Sequence, residues 1–252
     1  MAARSTVQIH PLGDAALLAV LGRRVDTALN TRAIALGAAL RSRRGVRDVV
    51  PGYATVTVHY DPDRVSFRAL SSAIENLVQR RPRPPAAGRL HRIPVVYDGP
   101  DLVEAANTLG LTTEELVRLH THPTYRCFMI GFAPGWAYLG PLPDRLRLPR
   151  RAVPRTAVPA GTVAIAGSQT GVYPLPTPGG WHLLGRTSVP MFLPDANPPS
   201  LLATGDRVRF FAVSDQQLEA AREEVQEEVQ DVAIDEETAA VEDEPVPDGD
   251  PA

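Results

Sequence analysis

The 252-residue chain has no lysine; all 26 of its basic residues are arginine. That absence excludes a Schiff-base lysine, a carboxylated or biotinylated lysine and a phosphate-loop lysine in this chain. A reaction that uses ATP or biotin must take those groups from another chain. Cysteine is nearly absent: Cys127 stands alone. No intrachain disulfide can form, which fits a reducing, cytoplasmic setting. No apolar run is long enough to span a bilayer, and the start, MAARSTVQIH, has no apolar signal core. No membrane association is expected. No HxH or ExxH set has a third partner, so no metal site is expected.

Charge is unevenly placed. Residues 215–252 hold 15 Asp or Glu and one Arg, while the rest holds 14 acidic and 25 basic residues. The Arg are scattered, with no basic helix and no alternation with aromatics, so nucleic-acid binding is not expected.

Glycine and proline are plentiful, at 19 and 25 residues, and they crowd residues 131–187. That stretch also carries both Trp, two Tyr and many β-branched residues. A flexible linker would lack these. Many short strands joined by tight turns is the natural reading, with sparse polar residues left to form a site.

The wording GFAPGxxYLG, then VPAGxVxIAGxQTGVYP, then PGGWxxxGRT resembles the family of 5-oxoprolinase B-type subunits. That family is also called the KipI family, or allophanate hydrolase subunit 1 and carboxyltransferase subdomain. LGDAALL at 12–18, VPGYATVTVHYDP at 50–62 and IPVVYDGPDL at 93–102 agree more weakly. Trp136 replaces the commoner Phe, Gly140-Pro141 replaces Gly-Gly, and Ser188 follows GRT where Pro is usual.

The pattern along the chain predicts an α+β protein. Over 1–85, strands alternate with amphipathic helices near 26–40 and 66–78. This reads as a small two-layer α/β sandwich of ferredoxin-like type. Residues 80–88, RRPRPPAAG, read as a stiff connector. From 89 to 214 the short strands imply a barrel or sandwich, and the resemblance implies a cyclophilin-like β-barrel. A helix is expected over 215–232 and a disordered acidic tail over 233–252.

The candidate site residues follow from chemistry. Arg150, Arg155 and Arg186 can grip a carboxylate or phosphate bidentately, and otherwise form structural ion pairs. Gln169 and Thr170 can hydrogen-bond a lactam amide or simply a turn. His120 is a possible base. Phe132, Trp136, Tyr138, Tyr173 and Trp181 can wall a pocket or a core. Gly131, Gly167 and Gly180 can expose backbone N–H groups to an anion. Thr187 closes the GRT motif. Arg155, Gln169, Arg186 and His120 are the catalytic candidates, and the others are candidates for binding.

The resemblance implies the B-type component of an ATP-dependent 5-oxoprolinase, acting with a homologous C-type component and an A-type component. It leaves two alternatives: a KipI-like inhibitor of a sensor histidine kinase, or a carboxyltransferase-type component of allophanate or urea metabolism.

Overall fold

The computed structural model describes residues 7–80 and 88–220. Residues 81–87 of the expected connector and the acidic tail therefore lie outside the described residues, as does the expected helix beyond 220.

The N-terminal unit runs β1 (Gln8–Pro11), β2 (Ala16–Val20), α1 (Thr27–Arg41), β3 (Val46–Pro51), β4 (Thr55–Tyr60) and α2 (Phe67–Arg80). The residues TVTVHY of β4 alternate apolar or aromatic with polar, and the strand is half-buried with that period of two: Val56, Val58 and Tyr60 are buried, and His59 between them is exposed. Asp26 caps α1 by accepting from the Leu29 amide at 2.9 Å, and Ser66 does the same for Ala69 at 3.2 Å ahead of α2. The helices cover one face of the sheet, and Leu36, Leu40, Leu70 and Ile74 pack on its apolar side chains.

This is a two-layer α/β sandwich, but the ferredoxin-like reading needs correction. The sheet order is β1-β2-β4-β3, with every pairing antiparallel. The chain runs ββαββα, where a ferredoxin-like unit runs βαββαβ. Strands β2 and β3 flank β4 in parallel, as in that motif, but the fourth place is taken by the first strand rather than the last. Local periodicity predicts the elements; it does not say which strands become neighbours.

The second unit is a barrel. Its seven strands are ordered β12 (His182–Arg186), β9 (Thr162–Ala166), β10 (Gln169–Val172), β7 (Ala137–Gly140), β6 (Tyr125–Ile130), β13 (Arg207–Ala212) and β5 (Leu90–Val95). A bridge from Val96 to Arg186 joins the two end strands, so the barrel is nearly closed. The close crossing there demands glycine, since a Cβ at Gly185 would collide with the Val96 carbonyl. A two-stranded ribbon of β8 (Arg155–Val158) and β11 (Thr177–Gly179) lies outside the barrel.

Helices α3 (Leu102–Leu109) and α4 (Thr113–Thr121) lie between β5 and β6 in the chain, and Leu102, Ala105, Ala106 and Leu116 pack into the barrel core. Thr112 with Glu115 three positions on is a capping-box pattern, and the two form that box at the start of α4. The interior is filled by Ile93, Tyr125, Leu139, Ile165, Leu184 and Phe210 among others. A ligand therefore has to be met on the outside of this barrel. Residues 215–220 are helical and start from the reciprocal Ser214 and Gln217 pair. No helix is long and apolar enough to cross a membrane among the described residues.

Candidate functional site

Strand β9 has two apolar faces. Val163 and Ile165 join the barrel core, while Ala164 and Ala166 join a separate outer cluster. Small alanines leave room there for large rings. Trp136, Tyr173 and Trp181 fill that room under Val158 of the β8–β11 ribbon, with Tyr138 packed alongside. Trp136 is the hub. Its ring meets Tyr173 at 4.6 Å, Trp181 at 5.1 Å, and Tyr138 and Phe132 at 5.9 Å, each edge-on. Edge-to-face packing suits ring quadrupoles and fixes the side chains. Phe132 is the outermost ring, 67% exposed, and sits at φ 74°, a region that non-glycine residues rarely adopt.

The aromatic layer crosses to the other unit. Tyr53, in the turn between β3 and β4, packs on Tyr138 at 6.1 Å and on Phe128 at 5.6 Å. It also lines a cleft of about 350 Å³, bordered by Met129, Val25, Val50, Arg23 and Arg24.

Three arginines border this wall. Asp101, 2% exposed, accepts from Arg155 Nη2 at 2.6 Å, Arg151 Nη1 at 3.0 Å and the Leu183 amide at 2.8 Å. Burial alone would push the Asp101 carboxyl up. The hydrogen bonds from Arg155 and Leu183, with the two guanidinium charges, reverse that and hold it below the usual carboxylate range. Arg150 forms no ion pair or hydrogen bond with another described residue. It lies close enough to Tyr53 and Tyr173 for its charge to oppose the upward push that burial gives both phenols.

Six buried side-chain polar atoms lack a partner among the described residues, and five belong to this wall, its ribbon or the start of β12 next to Trp181. They are Tyr53 Oη, Trp136 Nε1, Arg155 Nη1, Thr177 Oγ1 and His182 Nδ1; the sixth, Ser71 Oγ, is on α2. Buried polar groups are normally paired, so such a concentration calls for an explanation. The indole and guanidinium can only donate. His182 Nε2 donates to the Pro149 carbonyl at 2.9 Å, which leaves its Nδ1 as an acceptor. The wall therefore offers flat apolar surface, two obligate donors and one free cation. That set fits a small planar ligand with acceptor oxygens and negative charge.

The structure thus brings Phe132, Trp136, Tyr138, Arg150, Arg155, Tyr173 and Trp181 together. Gly131 and Gly180 serve them through the backbone: Gly131 donates to the Trp136 carbonyl, and Gly180 accepts from the Arg151 amide. The remaining candidates lie elsewhere. His120 is fully buried, stacked on Phe210 at 4.9 Å. Its Nδ1 accepts from Tyr97 Oη at 2.7 Å and its Nε2 donates to Thr170 Oγ1 at 2.8 Å, while Thr170 donates to the Ala164 carbonyl at 3.0 Å. Burial lowers the His120 pKa to about 3. A neutral histidine sealed in the core is no catalytic base, and Thr170 is its structural partner.

Arg186 donates to Asp98 at 2.8 Å and to Asp215, so its fork is already engaged. Gln169 and Gly167 sit at the β9–β10 turn, where Gly167 takes φ 58° and donates to the Leu148 carbonyl. Thr187 is buried and accepts from the Val189 amide. Sequence reasoning missed Tyr53 and Asp101. Both fall inside the motifs VPGYATVTVHYDP and IPVVYDGPDL, which was the available signal. Among the described residues, no group of three or more His, Cys, Asp or Glu is placed to hold a metal ion.

The family described as carboxyltransferase domain, subdomain C and D, matches residues 7–202. The B-type subunit of 5-oxoprolinase from Bacillus subtilis is 38% identical over 233 residues, covering 86% of this chain and 97% of that one. Its namesake from Escherichia coli O157:H7 is 40% identical over 203 residues, 79% of this chain and 93% of that one. This chain belongs to the family of 5-oxoprolinase B-type subunits. The solved structure of TTHA0988 is similar at a TM-score of 0.73 and 42% identity over 82% of this chain. This chain spans only 40% of that longer chain. The Kluyveromyces lactis urea amidolyase shares the fold alone, at a TM-score of 0.70 and 18% identity over 86% of this chain and 15% of that one.

Proposed function

We propose that this chain is the B-type component of an ATP-dependent 5-oxoprolinase and that the aromatic wall binds 5-oxo-L-proline, which the complex opens to L-glutamate. The observation that carries the reading is the concentration of unpaired polar groups around Trp136, next to the free Arg150. The substrate is a flat lactam with a carbonyl and a carboxylate. Arg150 holds the carboxylate, and Trp136 Nε1 and Arg155 Nη1 donate to the carbonyl, the oxygen on which negative charge develops when the ring opens. Access to Trp136 requires the 131–135 loop, with Phe132 at its tip, to move aside.

ATP is the co-substrate that the family implies. The wall does not fit it: a triphosphate needs several cations or an amide cradle, and the free cation here is one guanidinium in a chain without lysine. We place ATP on a partner chain, and derive no step through it on this one. The complex would comprise this chain, a homologous C-type component and an A-type component, in the cytoplasm. The barrel would be of the cyclophilin-like type that the resemblance implies.

A carboxyltransferase-type role is the second reading, favoured by the family description that matches 7–202. Reconstitution separates the two. The purified chain alone should show no 5-oxoproline-dependent ATP hydrolysis, and addition of the A-type and C-type components from the same genome should produce it. A complete complex that leaves 5-oxoproline intact but consumes ATP with urea and bicarbonate, or hydrolyses allophanate, would replace the first reading by the second.

A further inference from the structure

Asn30 is the one fully buried asparagine among the described residues, at 0% exposure on α1. Its side chain is nearly saturated. Nδ2 donates to the Gly52 carbonyl at 3.0 Å and to the Phe128 carbonyl at 2.8 Å, and Oδ1 accepts from Arg126 Nε at 2.9 Å. Arg126 reaches on to Thr31 Oγ1 at 3.3 Å. One amide thus ties together the α1 helix, the β3–β4 turn and barrel strand β6. Gly52 and Phe128 are the neighbours of the Tyr53 ring: the first precedes it in the chain, and the second packs beneath it at 5.6 Å. The packing that clamps the two units is therefore the packing that sets Tyr53 on the wall.

Tyr53 has no structural reason to be a tyrosine rather than a phenylalanine. Its hydroxyl is buried and bonds to nothing among the described residues, which costs stability. It lies within the field of Arg150, and its residue borders the cleft of about 350 Å³ that the N-terminal unit lines together with Met129 of the barrel.

Resting on the reading of function above, we infer that Tyr53 is a substrate-binding residue contributed by the N-terminal unit, donating its phenol proton to an acceptor oxygen of the ligand beside Arg150, and that Asn30 is its positioning residue. The N-terminal unit then completes the site rather than merely flanking it.

The test uses the assembled complex with 5-oxo-L-proline. Tyr53→Phe removes one oxygen and keeps the ring. Loss of a hydrogen bond made equally to substrate and transition state raises KM and leaves kcat unchanged; about 10-fold in KM is expected, the usual worth of a bond to a charged group. The melting temperature should hold or rise, because a buried unpaired hydroxyl disappears. Asn30→Ala should raise KM by a similar factor and lower the melting temperature. In a Tyr53→Phe background, the same Asn30 change should add less than about 2-fold to KM, because it acts through the phenol.

An active complex in which Tyr53→Phe keeps the wild-type KM overturns the inference and leaves the reading of function standing. Multiplicative effects of the two changes on KM overturn the role of Asn30. A wild-type complex that does not turn over 5-oxoproline overturns both the reading and the inference.

Discussion

Replacing Asp101 by Asn tests how the wall is held. Asp101 is 2% exposed and uses both oxygens: Oδ1 takes Arg151 and Arg155, and Oδ2 takes the Leu183 amide. Asparagine turns one oxygen into a donor facing donors. Either the guanidinium pair or the Leu183 amide loses its acceptor, and the compensating charge goes in both cases. Breaking a buried pair by removing one partner costs about 3–5 kcal/mol. Here the Arg151 and Arg155 side chains are 26% and 29% exposed, so water recovers part of the loss, and the low end, about 3 kcal/mol, applies. For a chain of this size that corresponds to a melting shift of about 6–12 °C.

The assay is thermal unfolding followed by tryptophan emission. The chain has two tryptophans, and both lie in this wall, so the signal reports the barrel rather than the N-terminal unit. Acid titration supplies a second reading. The Asp101 carboxyl is held low in the folded state, so its stabilisation is complete above the unfolded carboxylate range, near pH ~4. It is lost as pH falls further through the folded value. The wild type should show that acid loss and Asp101→Asn should not. A variant melting within about 2 °C of wild type, well below the shift expected at this chain length, would refute the account of how the β8–β11 ribbon is anchored.

His120 is neutral in the fold and gains a proton on unfolding anywhere between its folded value of about 3 and its usual range. Its burial therefore favours the fold above pH ~6.5 and loses that advantage as pH falls, with a slope on the order of one kcal/mol per pH unit; His120→Gln should flatten the acid limb of a stability-versus-pH curve. Arg186→Lys should leave kcat/KM of the complex within about 2-fold, since exposed ion pairs are worth little; steady-state kinetics decides, and a loss beyond about 10-fold, more than such pairs supply, would return Arg186 to the site. Arg150→Gln should raise KM for 5-oxoproline by about 30-fold or more, the usual scale for a charge-assisted contact, with an unchanged melting temperature, because Arg150 pairs with no described residue.

Much of the local structure is legible in the sequence. The Thr112–Glu115 capping box and the alternation from Thr55 to Tyr60 appear where the residues place them. So does the aromatic wall, because rings so dense among glycines must either pack together or face a ligand. The partners of each arginine are not legible. Arg155 and Arg186 both sit among apolar neighbours, but Arg186 meets Asp98 and Asp215, 88 and 29 positions away, while Arg155 meets Asp101, 54 positions away. Only the folded chain tells which guanidinium nitrogen is left over. Tyr53 is hidden for the same reason: its place on the wall depends on Asn30 and Phe128, 98 residues apart.

The order of strands in the N-terminal sheet bears on how this protein can assemble. Its two edges are β1 and β3. Strand β1 is four residues long and ends in Pro11, and β3 carries the charged Arg47 and Asp48 beside an irregularity in its register and ends in Pro51. Short strands, prolines, charges and bulges all spoil the row of main-chain groups that a foreign strand would need. This sheet is thus a poor template for extension by another chain. Proteins that join it have to recognise side-chain relief, so interface substitutions, rather than strand exchange, are how partner choice in this unit can be altered.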